Sequence, residues 1–483
     1  MKVITRPLSG FYTIHLIIFL SGFTFLIYEV VWNRMLSLVL GATVSAATIV
    51  LASFMAGFGI GAFYWGKLAN STQKAGKLLS LLIFIVGLFG LLNYFIIKTG
   101  LPALYNILGN KDISLDSIER IVFGISVVLL VFSTFFMGGV LPVVSKIIIR
   151  SNNQISVYLG RIYAIETLGS ALGGLAAGFI FLGNIGQRNT ILLAVAINLI
   201  VGLFLFISKK YNGQNFAVKP VDLKTNGFNQ SEQKNKTAGN ISGEQLLNKK
   251  IALISTFIFG FSVLSLQIIW LRIFKIYLTN TSYTFALISS LVILGLFFGS
   301  WIFKKYSYKI NDYGQTMLKA LMLMGLLTGF GLIILIKMPE IIMFPFKELL
   351  SIPFIKLLLM PGIAAILVVL PPTIVSGFAF PLAIRIFSSG YQSICNDVGK
   401  VLTLNTLGSV IGPFVATFVI IPFLGVGVSI LLVVLLIFIV SVYFSYKLKE
   451  VKHSKIYKPV LFIISFILLV TIVYKPQIRI LPP

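Results

Sequence analysis

Gly22-Phe23-Thr24-Phe25-Leu26-Ile27-Tyr28-Glu29-Val30-Val31-Trp32-Asn33-Arg34 is written a second time, with changes, as Gly260-Phe261-Ser262-Val263-Leu264-Ser265-Leu266-Gln267-Ile268-Ile269-Trp270-Leu271-Arg272. The ungapped offset of 238 residues holds from 19–67 to 257–305 and also places Thr43 on Thr281, Gly57 on Gly295 and Gly61 on Gly299. Further along, an offset of 239 superposes Gly138, Pro142, Gly160, Thr167-Leu168-Gly169-Ser170, Gly173 and Gly186 on Gly377, Pro381, Gly399, Thr406-Leu407-Gly408-Ser409, Gly412 and Gly425. Matches in this order are not an accident of composition. One unit has been duplicated, and the fold is decided by what that unit is.

The composition answers that question. Of the 483 residues 58% are apolar and only 11% charged, far from the balance of a water-soluble domain. A bilayer core about 30 Å thick takes roughly twenty apolar helical residues. Apolar runs of that length lie near 11–38, 43–68, 76–98, 118–148, 156–182 and 188–208, and again near 249–278, 282–303, 315–337, 357–387, 396–421 and 426–446. A shorter run, 460–473, opens behind Pro459 and is just long enough to make a thirteenth helix. Because six is even, both copies enter the membrane from the same side, so the repeats are parallel and related by an axis along the membrane normal. The expected fold is an all-α polytopic membrane protein of two parallel six-helix repeats plus a C-terminal helix, and this arrangement resembles that of major-facilitator-type transporters.

The expected divisions are an N-terminal repeat over 1–208, a linker over 209–248, a second repeat over 249–446, and a basic loop with the last helix and tail over 447–483. The linker is rich in Asn, Gln, Lys, Ser and Gly and is too polar to bury a core, so it reads as flexible.

Thirty-nine Lys and Arg against thirteen Asp and Glu give a net charge of +26. Gathered on one face such a charge would suggest nucleic acid; dispersed between apolar runs it excludes that reading and orients the chain in the bilayer instead. Lys67, Lys74, Lys77, Lys146, Arg150, Lys304, Lys305 and Lys309 all fall on the side of the linker, which makes that side and the N-terminus cytoplasmic. The run after Lys2 and Arg6 is too long for a cleaved leader and is read as a retained helix. A single Cys395 and two histidines, His15 and His453, exclude a disulfide framework and the usual zinc spacings. No Ser/His, metal-ligand or paired-carboxylate spacing is present, so no catalytic residue, metal or cofactor is expected.

Two carboxylates lie within apolar runs. Glu166 sits about ten residues into the fifth helix, roughly 15 Å deep, where a charge costs about 3 kcal/mol unless it faces a partner or a wet cavity. Tyr163, Ser170 and Gly173 share its face, and its repeat equivalent is Asn405. A buried Glu held by a neighbouring hydroxyl is the structural alternative. Glu29 lies toward the outer end of the first helix near Trp32, with Gln267 and Trp270 as copies. Arg34 and Arg272 follow; with the tryptophans they are either interface anchors or an outer gate in which Glu29 exchanges partners between Arg34 and Arg272. The candidate solute-binding set is therefore Glu29, Trp32, Tyr163, Glu166, Gln267, Trp270 and Asn405, with Arg34 and Arg272 as gating residues. Glycines at small-residue spacings, such as Gly57 with Gly61 and Gly169 with Gly173, serve close helix packing or smooth rocking of one half on the other. Pro142, Pro371, Pro372, Pro381 and Pro413 mark kinks.

Gly66-Lys67-Leu68-Ala69-Asn70 followed by Gly76-Lys77 resembles the loop between helices two and three of major facilitators, with Asn70 where that loop has an acid. The run from Ser21 to Arg34 with Leu40-Gly41-Ala42-Thr43 is similar to the membrane region of bacterial spermidine-synthase-like fusion proteins, and Tyr163-Ala164-Ile165-Glu166-Thr167-Leu168-Gly169-Ser170 and Leu404-Asn405-Thr406-Leu407-Gly408-Ser409 resemble that family's later helical motifs. In that family a soluble polyamine aminopropyltransferase domain follows the helices; this chain ends at Leu481-Pro482-Pro483, about where it would begin, and carries no Gly-rich nucleotide turn between a strand and a helix. The resemblance implies a bacterial inner-membrane protein that binds or moves a small cationic solute such as a polyamine, or one that anchors a separately encoded spermidine-synthase-like partner; lipid is its surrounding medium.

Overall fold

A computed structural model describes residues 8–40, 44–111, 113–149, 155–208, 243–278, 281–338, 340, 359–388 and 390–452. The linker proper, most of the segment after Lys337 and the expected thirteenth helix at 460–473 lie outside the described residues. Among those described there is no strand. That is the expected outcome in hydrocarbon, where a backbone that cannot bond to water must bond to itself.

The first repeat comprises α1 (Leu8–Val39), α2 (Val44–Ser71), α3 (Ala75–Phe95, carried on through Ile96–Gly100 and Leu101–Gly109), α4 (Leu115–Gly138, then Val140–Ile148), α5 (Ile155–Leu175, then Ala176–Phe181 and Leu182–Asn184) and α6 (Gly186–Ile207). The second comprises α7 (Gly243–Leu278), α8 (Thr281–Tyr306), α9 (Tyr313–Ile336), α10 (Met360–Phe387), α11 (Ile394–Phe414, then Val415–Ile420) and α12 (Ile421–Lys452). Among the described residues eleven continuous stretches are long and apolar enough to cross a membrane. The last of them, Ile394–Leu448, has 55 residues, more than twice what one crossing takes, and contains non-helical Gly425. It is two crossings joined at a turn, which makes twelve.

The duplication is visible in local geometry. The described glycines with positive φ are Gly186 (φ 74°) and Gly425 (φ 75°), repeat equivalents that open α6 and α12. A side chain there would strain the backbone, and only glycine takes this conformation freely. Wide π-helical turns occur at Ala176–Phe181 and at Val415–Ile420, again 239 residues apart. Helix crossings repeat as well. Gly169 and Gly173 lie on the carbonyls of Phe19 and Phe23, and Gly408 and Gly412 on those of Phe257 and Phe261, so α5 packs on α1 as α11 packs on α7. The missing side chains let the backbones close up where lipid provides no hydrophobic drive.

Within each lobe α3 packs on α6 and α9 on α12 at the periphery, while α1, α2, α5, α7, α8 and α11 form the seam. Two pairs make most of the contact across that seam, α2 with α11 and α5 with α8. On the first, Gly59 faces Thr406, the Thr403 hydroxyl donates to the Gly59 carbonyl (3.1 Å), and the Thr48 and Thr417 hydroxyls share a hydrogen bond of 2.6 Å. On the second, Gly174 and Gly178 meet Ser290 and Ala286, and Phe179 stacks on Tyr283 at 5.5 Å. α4 breaks at Gly139, three residues before Pro142, where the proline ring and its missing N–H interrupt the ladder. α10 and α11 carry Pro371, Pro372, Pro381 and Pro413 inside their helical spans.

Candidate functional site

The seam holds a cavity of about 140 Å³, lined from the middle stretches of its helices. Four of the seven expected solute-binding residues line it: Glu29 from α1, Tyr163 and Glu166 from α5, and Asn405 from α11. Its walls are mostly apolar and aromatic, with Phe25, Phe54, Phe58, Phe259 and Phe380 prominent, and Thr167, Ser170, Thr406 and Ser409 add hydroxyls.

Local packing explains why these side chains arrive there. Gly22 lies on the backbone carbonyl of Glu166 and beside the Ser170 hydroxyl; Gly260 lies on the carbonyl of Asn405 and beside the Ser409 hydroxyl. Each crossing presses the α5 or α11 backbone against its partner and turns the side chain at 166 or 405 toward the seam. A carboxylate and an amide thus occupy pseudo-symmetric places on opposite walls. The Tyr163 ring packs at a tilt against Phe380 of the other lobe, with centroids 4.6 Å apart.

The polar groups of the two walls differ in how they are satisfied. Asn405 donates to the Thr256 carbonyl at 3.1 Å, and Gln267, the copy of Glu29, donates to the Ser289 hydroxyl at 2.9 Å. Both amides are held within their own lobe. Glu29 and Glu166 are 4% and 6% exposed, and among the described residues neither carboxylate has a hydrogen bond or an ion pair. The described ion pair, Lys337 with Glu340 at 2.8 Å, lies on the surface. Two buried carboxylates without counter-charge are costly in an apolar wall, and they define the chemistry of the cavity.

The remaining candidates lie elsewhere. Trp32 is fully buried and stacks on Tyr28 (5.2 Å), whose hydroxyl accepts from Asn198 of α6 at 3.2 Å; this face of α1 is core, turned from the cavity. Trp270 is equally buried, and with Gln267 it is outside the lining. Arg34 is half-buried, Arg272 is exposed, and neither is paired with Glu29. The tryptophans are packed side chains rather than interface anchors, and in this structure Glu29 makes no ion pair with either arginine. The sequence reading passed over the phenylalanine walls, because with 42 Phe in the chain no single one stands out. It also passed over Asp397, a buried acid in the first turn of α11 that accepts from Ser393 at 2.7 Å, a favourable place for negative charge.

Two similar lobes of six helices around a mid-membrane cavity with ionisable lining are the architecture of a secondary solute carrier. The chain belongs to the Major Facilitator Superfamily, whose profile matches residues 14–404. Among solved structures it is similar to a bacterial homologue of the iron transporter ferroportin in an outward-facing state (13% identity, TM-score 0.53, 90% of this chain and 99% of that one covered). It is also similar to the proton:xylose symporter XylE bound to 6-bromo-6-deoxy-D-glucose (12% identity, TM-score 0.52, 91% and 96% covered). At these identities the likeness is one of fold. None of the curated proteins matches the chain.

Proposed function

We propose that the protein carries a small organic cation of the polyamine class across a bacterial inner membrane, with its N-terminus and linker on the cytoplasmic side. The observation that supports this reading is the pair Glu29 and Glu166, buried without counter-charge in a cavity walled by aromatic rings. A cationic guest with an apolar body meets both demands, since ammonium groups neutralise the carboxylates and methylenes lie against phenylalanine. A neutral sugar-like guest could use the wall hydroxyls but would leave both carboxylates without a counter-charge.

Uptake of labelled spermidine into proteoliposomes of the purified full chain tests the reading. Flux above protein-free liposomes, reduced at least tenfold in Glu166→Gln at equal protein incorporation, supports it; spermidine flux that Glu166→Gln leaves unchanged refutes it. The resemblance of the run from Ser21 to Arg34 to spermidine-synthase-like fusion proteins favours a second reading, a membrane module serving a separately encoded aminopropyltransferase-like enzyme. Co-purification of such an enzyme with the tagged chain, without measurable flux, would select it.

A further inference from the structure

We infer that the cavity takes a linear polycation whose outer ammonium groups are spaced on the order of 10–15 Å apart along the bundle axis, with both ends held by the N-terminal lobe. This inference rests on the cation reading above and specifies which cations it covers.

The spacing follows from the register of two helices. α1 and α5 cross where Gly22 lies on the Glu166 carbonyl and Gly169 lies on that of Phe19. Glu29 stands seven residues further along the bundle than Glu166 when measured from the first contact and thirteen when measured from the second, a mean of about ten, on the order of 15 Å of helix rise. Both side chains are flexible and reach into the same cavity, which shortens the gap between their carboxylates. The lining around them mixes the apolar Phe25, Leu26, Phe259 and Val263 with the hydroxyls of Ser170 and Ser409, and none of these carries a charge.

A guest with one ammonium answers one carboxylate and leaves the other buried and uncompensated. A slender chain with a charge at each end answers both, and one cavity of about 140 Å³ touches both carboxylates. The C-terminal lobe adds no third charge. The equivalents of the two acids are Gln267 and Asn405, whose amides are already committed to Ser289 and Thr256. The guest is therefore fastened at both ends to one lobe and slides against the other.

Competition against labelled spermidine on the purified full chain in nanodiscs tests this, using n-alkyl monoamines and α,ω-diamines of two to twelve methylenes. The expected result is affinity that rises with nitrogen separation, peaks at the longer diamines and exceeds the monoamine of equal length at least tenfold. In Glu29→Gln and in Glu166→Gln that advantage falls to within about twofold. Glu29→Asp, which keeps the charge and draws it back by one methylene, moves the optimum toward longer diamines and guards against a folding defect in the amide variants. Amines that bind regardless of their second charge, or a length preference unchanged in both amide variants, overturn the polycation inference and leave the cation reading standing. If no amine competes and spermidine itself does not bind, the cation reading falls and this inference falls with it.

Discussion

Gly59→Ala tests the seam between the lobes. A Cβ at position 59 of α2 would be driven into the Thr406 hydroxyl of α11, and the Thr406 Cβ lies close behind. The backbone carbonyl of Gly59 also accepts the Thr403 hydroxyl across the same contact at 3.1 Å, so any retreat of α2 weakens that bond. Overpacking of this kind costs about 1–3 kcal/mol, and loss of the hydrogen bond adds about 1 kcal/mol. For a chain of this size that is a drop in Tm of a few degrees. Thr406→Ala removes the atom struck first. In the Gly59→Ala background it should return part of the loss, although alone it is neutral or mildly destabilising. The double-mutant cycle, read by thermal unfolding of the purified protein, should give a coupling of roughly 1 kcal/mol or more between residues 347 positions apart in the chain. Gly183→Ala, whose added Cβ meets nothing within 4 Å, serves as the control. Additive effects at 59 and 406 would mean that α2 and α11 do not touch there, and the two-lobe packing with its enclosed cavity would have to be redrawn.

Gly186→Ala and Gly425→Ala should each cost about 1–2 kcal/mol from backbone strain alone, since no atom stands in the way of either Cβ, and thermal unfolding reads it. The Lys146 ammonium donates to the carbonyls of Ala69 (2.6 Å), Asn70 (2.8 Å) and Thr72 (2.7 Å) at the end of α2, while Gly66 one turn earlier packs on Cys395 and Gly399 of α11. Lys146→Met should loosen this end of the seam and speed alkylation of the buried Cys395 thiol by maleimide severalfold, with Lys146→Arg intermediate; equal rates would deny the link. Lys337→Ala removes an exposed pair with Glu340 and should change stability by less than about 1 kcal/mol.

The repeat carried most of the fold, because glycines that must lie against a neighbouring carbonyl tolerate no replacement that keeps the contact. Gly22 and Gly260, or Gly173 and Gly412, therefore align in the sequence and cross in the structure at matching points. The place of Glu166 well inside α5 was legible for the same reason that spans are: helix rise is fixed and the bilayer is a ruler. Which face of α1 meets the cavity was not legible. Glu29, Trp32 and Tyr28 all lie within one turn of helix, and only tertiary packing decides that Tyr28 and Trp32 turn to α6 while Glu29 turns to the seam. The aromatic walls were hidden by their own abundance. Asp397 was hidden by its nearness to a loop, although it is held inside the first turn of α11.

The symmetry of the backbone and the asymmetry of the chemistry belong together. Wide turns at Ala176–Phe181 and Val415–Ile420, hairpin glycines at 186 and 425, and crossings at 22 and 260 give both lobes the same pliable joints, which two rigid bodies rocking about one site require. Charge is not shared in this way. Acids at 267 and 405 would add a third carboxylate to one small cavity and bury a fourth beside it in the second lobe, and their mutual repulsion and desolvation would cost more than any small guest could return. The amides at these positions keep the shape of the acids, bond within their own lobe and leave the opposite wall neutral. Restoring the symmetry by Asn405→Asp should therefore weaken folding and shift binding toward guests of higher charge. Tight binding of a neutral solute by that variant would contradict the proposed cation reading of the cavity.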